Sequence, residues 1–156
     1  MDKSKTCCFT GHRALGKNFS LDRLYNTVIK LITDYGVDTF IAGGALGFDT
    51  VASEAVLRAK EQGYRVALHI YVPCLNQAQR WREADRVRYE SILKRADYVD
   101  INSRPYYDGC MRERNYKMVD NSSFCLCYFN GKPSGTGQTV KYAVSKGLKV
   151  GNLYNE

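Results

Sequence analysis

Glycine recurs in this sequence at three places where a β-prone run gives way to a helix-like one: Gly11-His12-Arg13, Gly43-Gly44-Ala45-Leu46-Gly47 and Gly135-Thr136-Gly137. Glycine lets backbone N–H groups come close to a ligand, and the positive end of a following helix favours an anion there. The chemistry suggested is phosphate binding. Arg13 and Arg114 add planar guanidinium groups that fork onto phosphate or ribose-linked oxygens, with Asn115 beside the second. Asp49 either caps its helix or touches a ribose hydroxyl. His12 carries an imidazole able to act as acid or base, although a histidine inside a Gly-His-Arg loop reads first as a ligand grip. Trp81, the only tryptophan, lies in a polar stretch and either stacks on a base or staples its loop to the core.

Those loops need a scaffold, and the hydrophobic pattern supplies one. Strand-like runs at 6–9, 38–42, 65–72, 98–101, 124–129 and 149–153 alternate with helical periodicity at 21–35, from 49 to 63, 84–95, 111–121 and 137–146. Ser20 reads as an N-cap and Gly36 as a C-terminal stop for the first helix. Six strands interleaved with five helices predict an α/β fold: one Rossmann-like, doubly wound domain over residues 1–156, its sheet mainly parallel and covered by helices on both faces. In such a sheet ligands sit beyond the carboxyl ends of the strands, where strand order reverses, so all three glycine junctions belong to the same edge.

Composition narrows the partners. The 156 residues carry 23 Lys+Arg against 16 Asp+Glu, a net charge of +7, which suits an anionic partner without saying which. No apolar stretch approaches the ~20 residues of a membrane span, and no secretory signal precedes the first strand. A cytoplasmic protein with no membrane association is expected. With Cys7-Cys8 and Cys125-x-Cys127 inside apolar runs, the six cysteines then read as reduced, buried thiols, and with no C-x-x-C pair and only two histidines no metal site is expected. The basic residues around Arg80 to Arg95 are interleaved with acids and read as a solvated helix face.

The segments CCFTGHR (7–13), IAGGALGFD (41–49), QRWREADRVRYESIL (79–93), RNYKMVDNSS (114–123) and GTGQTVKYA (135–143) together resemble the YpsA-type branch of the SLOG superfamily, over nearly the whole chain. That resemblance implies a Rossmann-like fold and a pocket for a nucleotide or nucleotide-derived ligand, with members tied to cell-division control. Two related groups point different ways. The stretch IAGGALGFDTVASEAVLRA is similar to a DprA motif, which would turn Gly44, Gly47 and Asp49 toward single-stranded DNA. Met111 to Met118 resembles the MxxRKxxM helix of the LOG phosphoribohydrolases, which assigns Arg114 to phosphate or ribose. The second LOG motif, PGGxGTxEE, is broken: Gly137-Gln138-Thr139 stands where the glutamates belong, and glutamine takes no proton from water. Glu54 or Asp120 would have to substitute.

The function expected is therefore a nucleotide-derived ligand sensor or regulator, for a nucleotide monophosphate, ADP-ribose or an NAD-related metabolite, with a protein partner if it regulates. Gly11, His12, Arg13, Gly43, Gly44, Gly47, Gly135, Thr136 and Gly137 would hold phosphates. Arg114, expected to be exposed at a helix start, and Asn115 would reach ribose or phosphate, and Asp49 a hydroxyl. The rivals are a nucleotide N-glycosidic hydrolase with an altered catalytic set and a DprA-like single-stranded nucleic-acid binder.

Overall fold

The computed structural model describes residues 1–154. After a 3-10 turn at Lys3–Lys5 the chain alternates strictly: β1 (Thr6–Gly11), α1 (Leu21–Tyr35), β2 (Thr39–Ala42), α2 (Phe48–Glu61), β3 (Ala67–Val72), α3 (Glu83–Arg95), β4 (Tyr98–Ile101), α4 (Cys110–Asp120), β5 (Phe124–Tyr128), α5 (Gly135–Ser145) and β6 (Lys149–Asn152). One six-stranded sheet results, in the order β4-β3-β2-β1-β5-β6, with all five pairings parallel. The chain steps outward from β1 to β4, then crosses back to lay β5 on the other side of β1. Strand order reverses there, so the crevice at the carboxyl ends of β1 and β5 is where this topology receives a ligand.

Alternate residues of each strand feed two separate cores, as a sheet covered on both faces requires. Phe9, Phe40, Leu68, Ile70 and Leu126 pack with Leu24 and Val28 of α1, the alanine-rich face of α2 and Ile92 of α3. Cys8, Ile41, Cys125 and Cys127 point the other way, onto Met118 and Val119 of α4 and Ala143 of α5. Three helices thus cover one face and two the other, and the fold is the doubly wound Rossmann-like α/β arrangement expected from the sequence.

Helix boundaries follow local chemistry. Ser20 Oγ accepts the Arg23 N–H at the start of α1, and Gly36 closes that helix with φ at +71°. β1 runs two residues beyond the expected strand because Thr10 and Gly11 pair with Cys127 and Tyr128. At the other end of the chain α5 begins at Gly135, two residues earlier than the pattern suggests, because Ser134 caps it by accepting the Gly137 N–H at 3.0 Å. Gly135, Thr136 and Gly137 are therefore the first helical turn, and the connecting loop is residues 129–134.

Candidate functional site at the carboxyl edge of the sheet

The first two glycine junctions lock onto each other. Phe48 N–H donates to His12 O at 3.1 Å. Gly47 holds φ at +84°, and a Cβ there would fall 2.2 Å from Arg13 O, so the backbone of the first loop lies directly on this glycine. A Cβ at Gly11 would sit 2.5 Å from the Phe48 ring. That ring stacks on Tyr128 at 6.0 Å and meets Phe9 edge-on at 6.1 Å, closing the core beneath the loops. Gly11 and Gly47 thus make room for protein, a packing function that short α/β junctions share with ligand sites. The Arg13 side chain is exposed and makes no hydrogen bond to a described residue.

Gly43 is held on both sides. Its N–H donates to Asp49 Oδ2 at 3.1 Å, and its carbonyl accepts from Arg114 Nη1 at 2.5 Å. The same Nη1 reaches Tyr71 O at 3.0 Å, and Arg114 Nε donates to Asn115 Oδ1 at 2.8 Å. Arg114 is only 4% exposed, which corrects the expectation of a surface arginine. The reason is its place on α4: Cys110, Arg114 and Met118 fall at i, i+4, i+8 on the buried stripe of that helix. Asp49 is 6% exposed, and burial raises its pKa to about 6 even though Arg114 and the backbone N–H groups of Ala45 and Gly43 pull it down. Burial likewise lowers the Arg114 pKa against the pull of Asp49. Asp49 does not cap its helix: Gly47 is the N-cap of α2 and no side-chain cap bond is made there, while Asp49 Oδ2 accepts the N–H groups of Gly43 and Ala45 in the preceding loop. Gly44, with φ at +70°, sits alongside: a Cβ there would lie 2.9 Å from the Tyr89 ring, and Gln77 Nε2 bridges Gly44 O and Tyr89 Oη.

The third glycine junction lies beside a hollow. His12 N–H donates to Tyr128 O, and His12 Nε2 accepts the Asn130 N–H at 3.0 Å, so the ring ties β1 to the loop after β5. That bond assigns the proton of the neutral ring to Nδ1, where it is a donor. The N–H groups of Gly135 and Thr136, at the mouth of α5, donate to no described residue, while Gly137 is turned onto Phe129, 2.9 Å from where its Cβ would be. A hollow of about 510 Å³ opens against this helix end, lined by Phe129, Lys132, Ser134, Gln138 and Lys141 among others, and no carboxylate lines it. Two ammonium groups and a helix N-terminus make this a surface that favours negative charge, while the Ser134 hydroxyl is spent on Lys132 O and the Gly137 N–H.

Comparison with known proteins identifies the family of the chain. The profile of the YpsA type, described as the YspA SLOG family, matches residues 17–151. The chain belongs to the YspA SLOG family. Among curated relatives, the UPF0398 protein BH1768 of Halalkalibacterium halodurans is 30% identical over 118 residues, 74% of this chain and 62% of that protein. A UPF0398 protein of Bacillus cereus is 28% identical over 134 residues, 85% of this chain and 71% of its own length. This SLOG chain is also similar in fold to DNA processing protein A (DprA) from Streptococcus pneumoniae, with a TM-score of 0.72 at 17% identity, covering 99% of this chain and 52% of that one. DprA from Helicobacter pylori, described for its single-stranded DNA binding mode, gives 0.68 at 17% identity, over 99% and 67%. At such identity the likeness is one of fold.

The remaining expected residues fall elsewhere. Trp81 packs edge-on against Tyr89 at 5.1 Å, stapling the loop before α3. Glu54 pairs with Arg88 between α2 and α3, and Asp120 accepts from Tyr142 Oη at 2.7 Å at the end of α4 that leads into β5, the opposite edge of the sheet. Neither replaces the missing LOG glutamates. All six cysteines are free and buried, and burial pushes the Cys127 thiol up to about 12, which makes that thiol a poor nucleophile. Sequence reasoning missed Ser134, Lys132 and Lys141. The serine three residues before Gly137 was the available signal, since a hydroxyl at that spacing caps a helix.

Proposed function

We propose that this SLOG chain binds a phosphate-bearing, nucleotide-derived ligand, such as a nucleoside monophosphate, ADP-ribose or an NAD-related molecule, in the crevice between β1 and β5, and acts as a sensor or regulator. One observation carries the reading: the open N-terminus of α5 stands beside Lys132 and Lys141 with no carboxylate in the lining. Phosphate would lie on the Gly135 and Thr136 N–H groups, with Arg13 and His12 Nδ1 approaching from β1. Gln138 holds the position where a LOG glutamate would act, and the buried carboxylate of Asp49 is turned to the backbone, so binding is supported over N-glycosidic hydrolysis.

Thermal and denaturant unfolding with AMP, ADP-ribose and NAD tests it. A ligand at a hundredfold excess over its Kd adds about 2.7 kcal/mol of stability. The Lys132→Gln, Lys141→Gln double variant should lose most of that gain while unfolding normally alone, and no free base should accumulate. If none of the three nucleotides stabilises the chain, the reading fails. A second reading, single-stranded nucleic acid on the same edge, is favoured by the fold likeness to DprA and the +7 charge. An oligonucleotide affinity that falls steeply with salt, with no nucleotide effect, would select it.

A further inference from the structure

A second hollow lies far from the carboxyl edge, on the α1 face of the sheet, and the nucleotide reading does not use it. It holds about 250 Å³ between α1 and the strands β5 and β6. Its floor is apolar, formed by Leu31, Phe124 and Leu126. At the mouth Tyr35 meets Phe124 edge-on at 5.9 Å, and the Lys149 ammonium stands 5.8 Å from the first ring and 6.0 Å from the second. Lys30 faces the hollow from α1. Neither lysine has an acidic partner among the described residues, and no Asp or Glu lines the space.

One residue lining the hollow carries no side chain. Gly151 is paired in register with Leu126, so a side chain there would project onto the α1 face and into the space. Its φ is not in the left-handed region, and an added Cβ would meet only Leu126 Cδ1, at an ordinary 3.5 Å. Neither backbone conformation nor crowding calls for glycine here. Its effect is to leave a cavity open at the edge of the sheet.

We propose that this groove is a second ligand site, and that it takes a small molecule with a flat apolar body and a single carboxylate. The apolar floor accepts the ring, and Lys30 and Lys149 flank the carboxylate. A polyphosphate does not match, since the lining offers it two cations and otherwise hydrocarbon. The volume is below the usual 300–1,000 Å³ of cofactor and drug sites, which limits the body to roughly a bicyclic aromatic.

The test is an amide-resolved NMR titration of the full chain with 2-naphthoate and, separately, with 2-naphthamide. Naphthoate should shift resonances of Lys30, Leu31, Tyr35 and Lys149 to Gly151, and the uncharged amide should bind roughly tenfold more weakly, as loss of a charge-assisted contact implies. Gly151→Val, a strand-compatible change that fills the groove, should abolish the response, and Lys149→Gln should weaken it. Lys30→Gln, at an exposed helical position, gives an independent check if Gly151→Val folds poorly. Equal affinity for acid and amide, no shift at millimolar naphthoate, or shifts confined to residues 131–141 would each overturn the proposal. So would self-association of the wild type that Gly151→Val removes, because a second copy would then be the occupant.

Discussion

Asp49 and Arg114 show how a single buried residue is decided by what it would leave behind. Replacing Arg114 by methionine keeps the volume of the side chain but strips the Gly43 and Tyr71 carbonyls of their donor and leaves the Asp49 charge uncompensated. A loss of about 1–3 kcal/mol in urea unfolding is expected for each buried carbonyl left without a donor. Arg114→Ala would therefore report on folding before it reported on a ligand. The pH dependence follows from Asp49. Its folded-state pKa of about 6 lies above the ordinary carboxylate value, so the folded chain binds the extra proton between roughly pH 4 and 6. Its contribution to stability is full below that window and falls as pH rises through it, then stays level. Urea denaturation across pH 4 to 7 should show this decline, and the same series on Asp49→Asn should lack it. A wild-type curve parallel to the Asn variant would mean that the carboxylate is not desolvated.

At the level of elements, the junctions teach that glycine count is a poor guide to glycine purpose. Gly63 and Gly47 both hold positive φ, but nothing lies within 4 Å of a Cβ at Gly63, whereas Arg13 O blocks one at Gly47. Gly63→Ala should cost about 1–2 kcal/mol, the ordinary left-handed penalty. Gly47→Ala should cost clearly more and also raise hydrogen exchange at residues 12–16, because it pries the first loop from the second. Equal costs would show that the two loops are not interlocked. Ser134→Ala should cost about 1 kcal/mol and fray the first turn of α5, as read by exchange at Gly137. The alternation of elements was legible in the sequence because the central strands β1, β2, β3 and β5 are apolar runs and α1 and α2 keep a helical period of apolar residues. The burial of Arg114 was not, although Cys110 and Met118 at i−4 and i+4 framed it, since a charged residue on an apolar stripe reads as surface until its carbonyl partners, just after β2 and on β3, are known. Those partners come from 43 residues or more away in sequence, beyond any local pattern.

For the whole molecule, the reversal of strand order was implied by alternation alone, but which strand neighbours β1 was not. That choice brings the His12 ring to the loop after β5 and creates the crevice. Among the described residues no helix is long and apolar enough to cross a membrane. The pairing of β1 with β5 also fixes the order in which the sheet can be completed. Cys8 and Cys125 are partners across most of the length of the chain. During synthesis from the N-terminus, β1 to β4 can assemble as soon as they emerge, but β1 then remains an exposed edge, rich in apolar residues and with its outer hydrogen-bonding groups empty, until residues 124–128 are made. Such an edge invites pairing with another nascent chain. The strand that ends at the centre of the finished sheet is thus, for most of its birth, the most vulnerable border the protein has.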